Sequence, residues 1–125
     1  MFYIDEDLTI HITRGDAAEI FVSATIDGEA FEFSQGDVIR LKVFGKKNCD
    51  NIVLQKDVEV TEPLNTVGIS LEKEDTTIGA VISKPVDYWY EVEVNPDTYP
   101  HTIIGYDENG AKIFKLYPEG GVANE

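Results

Sequence analysis

The sequence predicts an all-β protein, an antiparallel sandwich of about eight or nine short strands. Three observations support this fold class. Apolar and polar residues alternate with a period of two in most segments, as they do in strands with one buried face. Turn signals separate these segments at intervals of about 8–12 residues. No segment has the 3.6-residue period of a long helix, and the 125-residue chain fits a single domain, predicted over residues 1–117.

The first half of the chain alternates in this way in four segments, Leu8–Ile12, Ile20–Ile26, Phe31–Phe33 and Val38–Phe44. Asp27-Gly28 is a hairpin signal and predicts pairing between the second and third segments. Within the fourth segment, the side chains expected to face the core are Ile39, Leu41 and Val43.

The second half continues with predicted strands at Ile52–Val60, Val67–Leu71, Val86–Val94, Thr102–Tyr106 and Ala111–Tyr117. The last two are expected to form a hairpin around Asp107–Gly110. Residues 72–78 are rich in acids and poor in β-formers, which predicts one helical turn or a corner before Gly79. Residues 118–125 are polar and contain glycine, which predicts a flexible C-terminal tail.

The charge of the chain argues against two classes of partner. Ten Lys and Arg face 24 Asp and Glu, a formal charge of -14, whereas binding to nucleic acid or a membrane surface requires a basic footprint. The N-terminus is acidic and lacks the apolar core of a signal peptide. With a single cysteine, Cys49, the chain is expected to be cytoplasmic on synthesis.

The candidates for catalysis are His11, His101 and Cys49, and none lies in a local nucleophile motif. Two lysines near Cys49, Lys46 and Lys47, would lower the pKa of its thiol, although a lone loop cysteine of this kind is commonly inert. We therefore expect no enzymatic activity.

Metal binding is also not expected. Zinc takes about four Cys or His ligands, and the chain has one Cys and two His. Two acidic stretches, Asp5–Asp7 and Asp107–Gly110, lack the spacing of a calcium loop. We predict no cofactor.

Two segments suggest an interface. In strand register Tyr88 and Tyr90 face the core, whereas Trp89 faces outward between Asp87 and Glu91. An outward Trp is a good interface anchor, and the alternative is that a neighbouring loop covers it. Arg14-Gly15-Asp16 spells a tripeptide that integrins bind, but a simpler interpretation is a turn in which Asp16 binds backbone N–H groups. The predicted interface residues are Trp89, Asp87, Glu91, Arg14 and Asp16.

The ordered set of motifs resembles the N-terminal immunoglobulin-like domain of phage baseplate upper proteins and small tail proteins of phages that infect Gram-positive bacteria. The resemblance covers roughly residues 8–117. The resemblance rests on the order and spacing of six segments along the chain. These are Ile12–Asp16, the Asp27-Gly28 turn, Val38–Val43, Gly68–Thr76, Tyr88–Val92 and Lys112–Leu116.

The resemblance implies an immunoglobulin-like sandwich with a structural role and no catalytic residues. The expected partners are other tail or baseplate proteins, with a homo-oligomer as a further option, and the expected final location is the virion.

Two other functions remain open. One is a carbohydrate- or surface-ligand-binding module, in which Trp89 and either Tyr99 or Tyr106 stack against sugars. The other is an acidic inhibitor of a host enzyme, which is the weakest because the alternating strand faces scatter charges of both signs.

Overall fold

The computed structural model describes residues 1–120 of the chain. These residues form eleven strands and one short helix. In chain order the elements are β1 (Phe2–Ile4), β2 (Ile10–Thr13), β3 (Ala18–Val22), β4 (Thr25–Ile26), β5 (Glu29–Ala30), β6 (Val38–Lys46), β7 (Asp50–Glu59), β8 (Val67–Leu71), α1 (Lys73–Thr76), β9 (Val86–Val94), β10 (His101–Ile104) and β11 (Lys112–Tyr117).

A seven-stranded sheet dominates the fold. Its strands lie in the order β1-β2-β11-β9-β6-β7, and β10 pairs with β9 beyond the end of β11. All of these pairs are antiparallel except β2 with β11, which is parallel. We call this the large sheet. Its central strand, β9, is the aromatic segment that the sequence singled out.

Two smaller pairs complete the β structure. β3 and β8 form an antiparallel pair, which we call the small sheet. β4 and β5 form a short hairpin whose turn residues Asp27 and Gly28 both have positive φ, 51° and 82°. A positive φ at both central positions is the geometry of the hairpin turn that Asp-Gly favours. The predicted turn is therefore confirmed. The predicted pairing of Ile20–Ile26 with Phe31–Phe33 is not, because Ile20 and Val22 pair with β8 and Phe33 bridges Leu64.

The two sheets contribute to one hydrophobic core. Ile20, Val22 and Ile69 of the small sheet belong to the same buried cluster as Ile39, Leu41 and Val43 of the large sheet. The inward assignment of the last three is confirmed, since each is fully buried. The period-two pattern predicts this burial because it commits alternate side chains to one face.

Three expectations about the strands require correction. The sequence predicted an antiparallel arrangement, but the large sheet is mixed because β2 runs parallel to β11. β10 and β11 were expected to pair with each other, but each pairs with β9. β1 was not predicted as a strand, because three residues are too short to show a period. The all-β class is confirmed.

The predicted helical turn is present as α1, directly after β8. The backbone N–H of Glu72 donates to the carboxylate of Asp75, which closes the first turn. The same carboxylate lies 3.0 Å from Nζ of Lys56 on β7. This ion pair explains why the inward-facing set of β7 contains a lysine. Burial alone would raise the pKa of Asp75, but the hydrogen bond from the Glu72 N–H, followed by the interaction with Lys56, lowers it below its ordinary value.

Part of the predicted C-terminal tail lies within the described residues. The carboxylate of Glu119 accepts a hydrogen bond from Arg14, and residues 121–125 lie outside the described part of the chain. Among residues 1–120, no helix combines the length and apolar character that crossing a membrane requires.

Candidate functional site

An apolar row crosses the outer face of the large sheet. Trp89 of β9 pairs in register with Ile113 of β11 on one side and with Phe44 of β6 on the other. Phe44 in turn pairs with Ile52 of β7. Because register partners share a face of the sheet, these four side chains form a continuous stripe, which we call the Trp89 row.

The Trp89 row lies on the face that points away from the core. Of the neighbours of Trp89 along β9, Tyr90 is buried in the core and Tyr88 is partly buried against it, as the sequence predicted. Phe44 is only 3% exposed although it is not part of the core cluster, whereas Ile52 is 52% exposed. Trp89 is half-buried. Solvent therefore reaches the row at Ile52 and in part at Trp89 and Ile113, whereas Phe44 between them is covered.

A groove follows the β11 end of the Trp89 row. Trp89, Ile113, Asp87 and the exposed Tyr106 line it, together with the turn at residues 107–111. Two aromatic rings thus lie along one groove with three acidic residues, Asp87, Asp107 and Glu108. Polar groups beside aromatic rings are the usual composition of a binding cleft.

Tyr99, the other predicted stacking residue, lies elsewhere. Its ring contacts His101 at 5.0 Å between centroids, and His101 pairs with Val94. Val94 lies five residues from Trp89 along β9, or about 17 Å in an extended strand. The structure therefore places Tyr106, and not Tyr99, beside Trp89.

Glu91 belongs to a charged cluster next to the Trp89 row. Nζ of Lys42 lies 2.8 Å from Oε1 of Glu93 and 3.6 Å from Oε1 of Glu91. Burial, followed by the nearby charge of Glu93, raises the pKa of Glu91 above its ordinary value. The interaction with Glu93 likewise raises the pKa of Lys42. One ammonium thus balances two carboxylates.

Arg40 repeats this pattern farther along β6. Its guanidinium donates two hydrogen bonds to Asp57 on β7, at 2.8 and 3.0 Å, and two to Asp97, at 2.9 and 3.1 Å. These bonds raise the pKa of Arg40 further above its already high value. Since Lys42 and Arg40 are each shared by two acids, the outer face carries a surplus of carboxylates beside the Trp89 row.

Arg14, a predicted interface residue, lies inside the protein. Its side chain is 9% exposed. Nε donates to the carbonyl oxygen of Ile78 at 3.2 Å, Nη2 to the carbonyl of Gly79 at 2.6 Å, and Nη1 to Glu119 at 3.0 Å. Its backbone follows the end of β2, so it does not join Trp89. The geometry gives Arg14 an internal structural role.

Asp16 is half-buried near the N-terminus. Its carboxylate lies 2.7 Å from the amine of Met1, and its carbonyl oxygen accepts a hydrogen bond from Thr76 Oγ1. The predicted turn is present, because Gly15 has a φ of 86° and the N–H of Asp16 donates to the carbonyl of Thr13. Its carboxylate binds the terminal amine rather than the backbone N–H groups that the sequence suggested.

A hydrogen-bonded chain surrounds His11. Nε2 lies 2.7 Å from Oδ2 of Asp5, Nδ1 lies 2.7 Å from the hydroxyl of Tyr117, and the Tyr3 ring stacks on the imidazole at 4.2 Å. Burial raises the pKa of the Tyr117 hydroxyl, which opposes its use as a nucleophile. Sequence reasoning missed this group because 106 positions separate His11 from Tyr117. The chain joins β1, β2 and β11.

Cys49 is half-buried, and burial raises the pKa of its thiol, with a further contribution from Glu91. The raised pKa is the opposite of the lowered pKa that was expected from Lys46 and Lys47. A thiol that resists ionisation is a poor nucleophile.

The two acidic stretches meet in space. Glu6, Asp7, Asp107 and Asn109 line one groove, where Nζ of Lys112 lies 2.6 Å from Asp107. The side chain of Asp5 and the groups of Thr9 lower the pKa of Asp7 to about 2. Among the described residues, however, no three His, Cys, Asp or Glu side chains are arranged to hold a metal ion.

Comparison with known proteins gives no relative: no family model, no curated protein and no solved structure matches this chain.

Proposed function

We propose that this protein is a non-enzymatic structural component of a phage or prophage tail or baseplate, and that it docks onto other virion proteins through the outer face of its large sheet. The observation that carries the docking role is the Trp89 row, in which Ile52 is exposed and Trp89 and Ile113 are half-buried on the outer face of the sheet. The resemblance of residues 8–117 to phage baseplate domains supports the assignment to a tail particle.

At a finer level we propose an immunoglobulin-like sandwich. The order β11-β9-β6-β7 follows the G-F-C-C′ order of variable-type immunoglobulin sheets, and the β3-β8 pair follows B-E. The shared core of the two sheets also supports this topology. The chain departs from antibody domains because it has one cysteine, and its single Trp lies in β9 rather than β6.

The outer face favours a particular partner chemistry. An apolar stripe buries surface on contact, which supplies most of the binding energy at an interface. The surplus carboxylates around Lys42 and Arg40 favour basic groups on the partner through charge complementarity. The proposed partner surface is therefore an apolar patch with a basic rim.

Trp89→Ala should weaken assembly far more than it weakens the fold. Loss of a central interface Trp costs about 2–4 kcal/mol of binding, or roughly 30-fold or more in affinity. Incorporation of the variant into tail particles can be measured by quantitative mass spectrometry, with urea unfolding of the free protein in parallel. Tyr99→Ala is the matched control, because it removes an exposed aromatic ring far from the row.

Normal incorporation of Trp89→Ala would contradict docking through this face, whatever its stability. The assignment to a particle has its own test, which is the abundance of the chain in purified particles from the source strain. Peptides in fixed ratio to a known tail protein would support it, and their clear absence would remove it.

A second candidate function is binding of carbohydrate or another surface ligand. One observation favours it, namely that Trp89 and Tyr106 line the same groove. Tryptophan fluorescence during titration with cell-wall polysaccharide tests this candidate, because Trp89 is the single Trp of the chain. A saturable change lost in Tyr106→Ala and kept in Tyr99→Ala would favour it over docking, and an unchanged spectrum would remove it.

A further inference from the structure

β3 has one unpaired edge. It pairs with β8 on one side, and within residues 1–120 its backbone makes no other hydrogen bond. In an antiparallel pair, alternate residues turn their N–H and C=O groups away from the partner strand. The free edge of β3 therefore presents a row of unsatisfied backbone groups that fits another extended strand.

The other long edges are protected in ways that β3 is not. β7 is interrupted by a bulge and carries four charged residues, and the far side of β8 lies near β7 and α1. Charges, bulges and covering elements are the usual means by which proteins block strand addition. β1 is only three residues long. β3 has five residues, and its one charged residue is Glu19.

The charge of Glu19 is directed away from the free edge. Its Oε2 accepts a hydrogen bond from Ser70 Oγ on β8 at 3.1 Å, and its carboxyl group lies over Gly68, where a Cβ would be 2.9 Å from Cδ of Glu19. The absence of a side chain at Gly68 makes room for this arrangement. Beside it, Phe21 is 65% exposed on the outer face of the small sheet. The edge is left neutral, with an aromatic side chain next to it.

We propose that two copies of this chain associate through antiparallel pairing of their β3 edges, about a twofold axis at Phe21. In this register Phe21 lies opposite its equivalent, Ile20 lies opposite Val22, and Glu19 lies opposite Ser23. The pairing keeps Ile20 and Val22 on the core-facing side, because each residue meets another of the same face. It also places the two phenyl rings side by side, which stabilises a sheet.

Charge favours a second copy at this edge rather than at others. Each copy carries a formal charge of -14, so two copies repel each other, and a contact through a neutral edge adds the least local repulsion to this. The proposed register never places Glu19 opposite an acid. An isologous contact of this kind closes at two copies and gives a dimer. The surface is separate from the Trp89 row, so both can be occupied together.

Disulfide cross-linking tests the register. In a Cys49→Ser background, Phe21→Cys should form an inter-chain disulfide readily under mild oxidation, because the two positions lie opposite each other within about 5 Å. Glu19→Cys is the matched control, because it is also exposed on β3 but lies opposite Ser23 in the partner. Equal cross-linking of both variants, or none at Phe21→Cys, would overturn the proposal.

Sedimentation tests the association itself. The wild-type chain should form dimers, more tightly as salt screens the repulsion, and Phe21→Lys should weaken the dimer by at least about tenfold. Trp89→Ala should leave the dimer unchanged, which separates this proposal from the proposed docking function. A wild-type chain that stays monomeric up to millimolar concentration at moderate salt would overturn the proposal.

Discussion

At the scale of single residues, Arg14 was predicted at an interface but lies in the interior. A charged side chain is almost never fully buried unless it is paired, and Arg14 meets this requirement with the carbonyls of Ile78 and Gly79 and the carboxylate of Glu119. These partners lie 64 to 105 positions away in sequence. The guanidinium therefore holds the loop after α1 and the segment after β11 against the end of β2.

Arg14→Ala should destabilise the protein by about 2–3 kcal/mol, because the buried carbonyl oxygen of Ile78 and the partly buried carbonyl oxygen of Gly79 lose their donor. Urea unfolding measures this loss. Glu119→Gln is the control and should cost less than about 1 kcal/mol, since the Glu119 side chain is 43% exposed. Equal stability of the two variants would contradict the structural role of Arg14.

At the scale of elements, the outer face of the large sheet is crossed by ion pairs as well as by the Trp89 row. Arg40 links β6 to β7 through Asp57 and to the segment after β9 through Asp97. Its hydrogen bonds lower the pKa of Asp57, against the opposing effect of burial. The ion pair that Arg40 and Asp57 form between β6 and β7 therefore depends on pH.

The sign of this dependence follows from the lowered pKa of Asp57. The folded state keeps Asp57 ionised to a lower pH than the unfolded chain does, so the pair stabilises the protein fully above the ordinary pKa of 3.8. That stability is lost as the pH falls through the folded pKa. Because the Asp57 side chain is 41% exposed, solvent screening limits the contribution to about 0.5–1 kcal/mol.

Asp57→Asn should therefore be less stable than wild type at pH 7, and its free energy of unfolding should fall less steeply on acidification below the ordinary pKa. Chemical unfolding as a function of pH measures both effects. Glu59→Gln, which alters an exposed acid of the same strand, should follow the wild-type curve. Parallel curves for Asp57→Asn and wild type would show that the pair contributes nothing.

At the scale of the whole molecule, the net charge of -14 opposes compaction, because the folded state brings the carboxylates closer together than the unfolded chain does. The ion pairs on the large sheet neutralise only part of this charge. We expect the thermal midpoint to rise between about 0.01 M and 0.1 M NaCl, as the screening length falls from about 30 Å to about 10 Å.

Charge variants test this expectation. Replacing two exposed loop acids, Glu32→Lys and Glu62→Lys, should raise the midpoint at low salt and flatten its salt dependence. Lys84→Glu makes the net charge more negative at an exposed residue and should steepen the salt dependence of the midpoint. A midpoint that does not respond to salt in wild type would mean that self-repulsion is negligible in this protein.

The amino-acid sequence by itself determined the all-β class, the inward face of β6, the Asp27-Gly28 turn and the outward position of Trp89. Each depends on residues within a few positions, because strand periodicity and turn chemistry are local. Only the tertiary structure decided that β2 runs parallel to β11, that Arg14 is internal, and that Tyr106 rather than Tyr99 lies beside Trp89. These features depend on which distant segments become neighbours, and period-two alternation is identical whichever strand lies alongside.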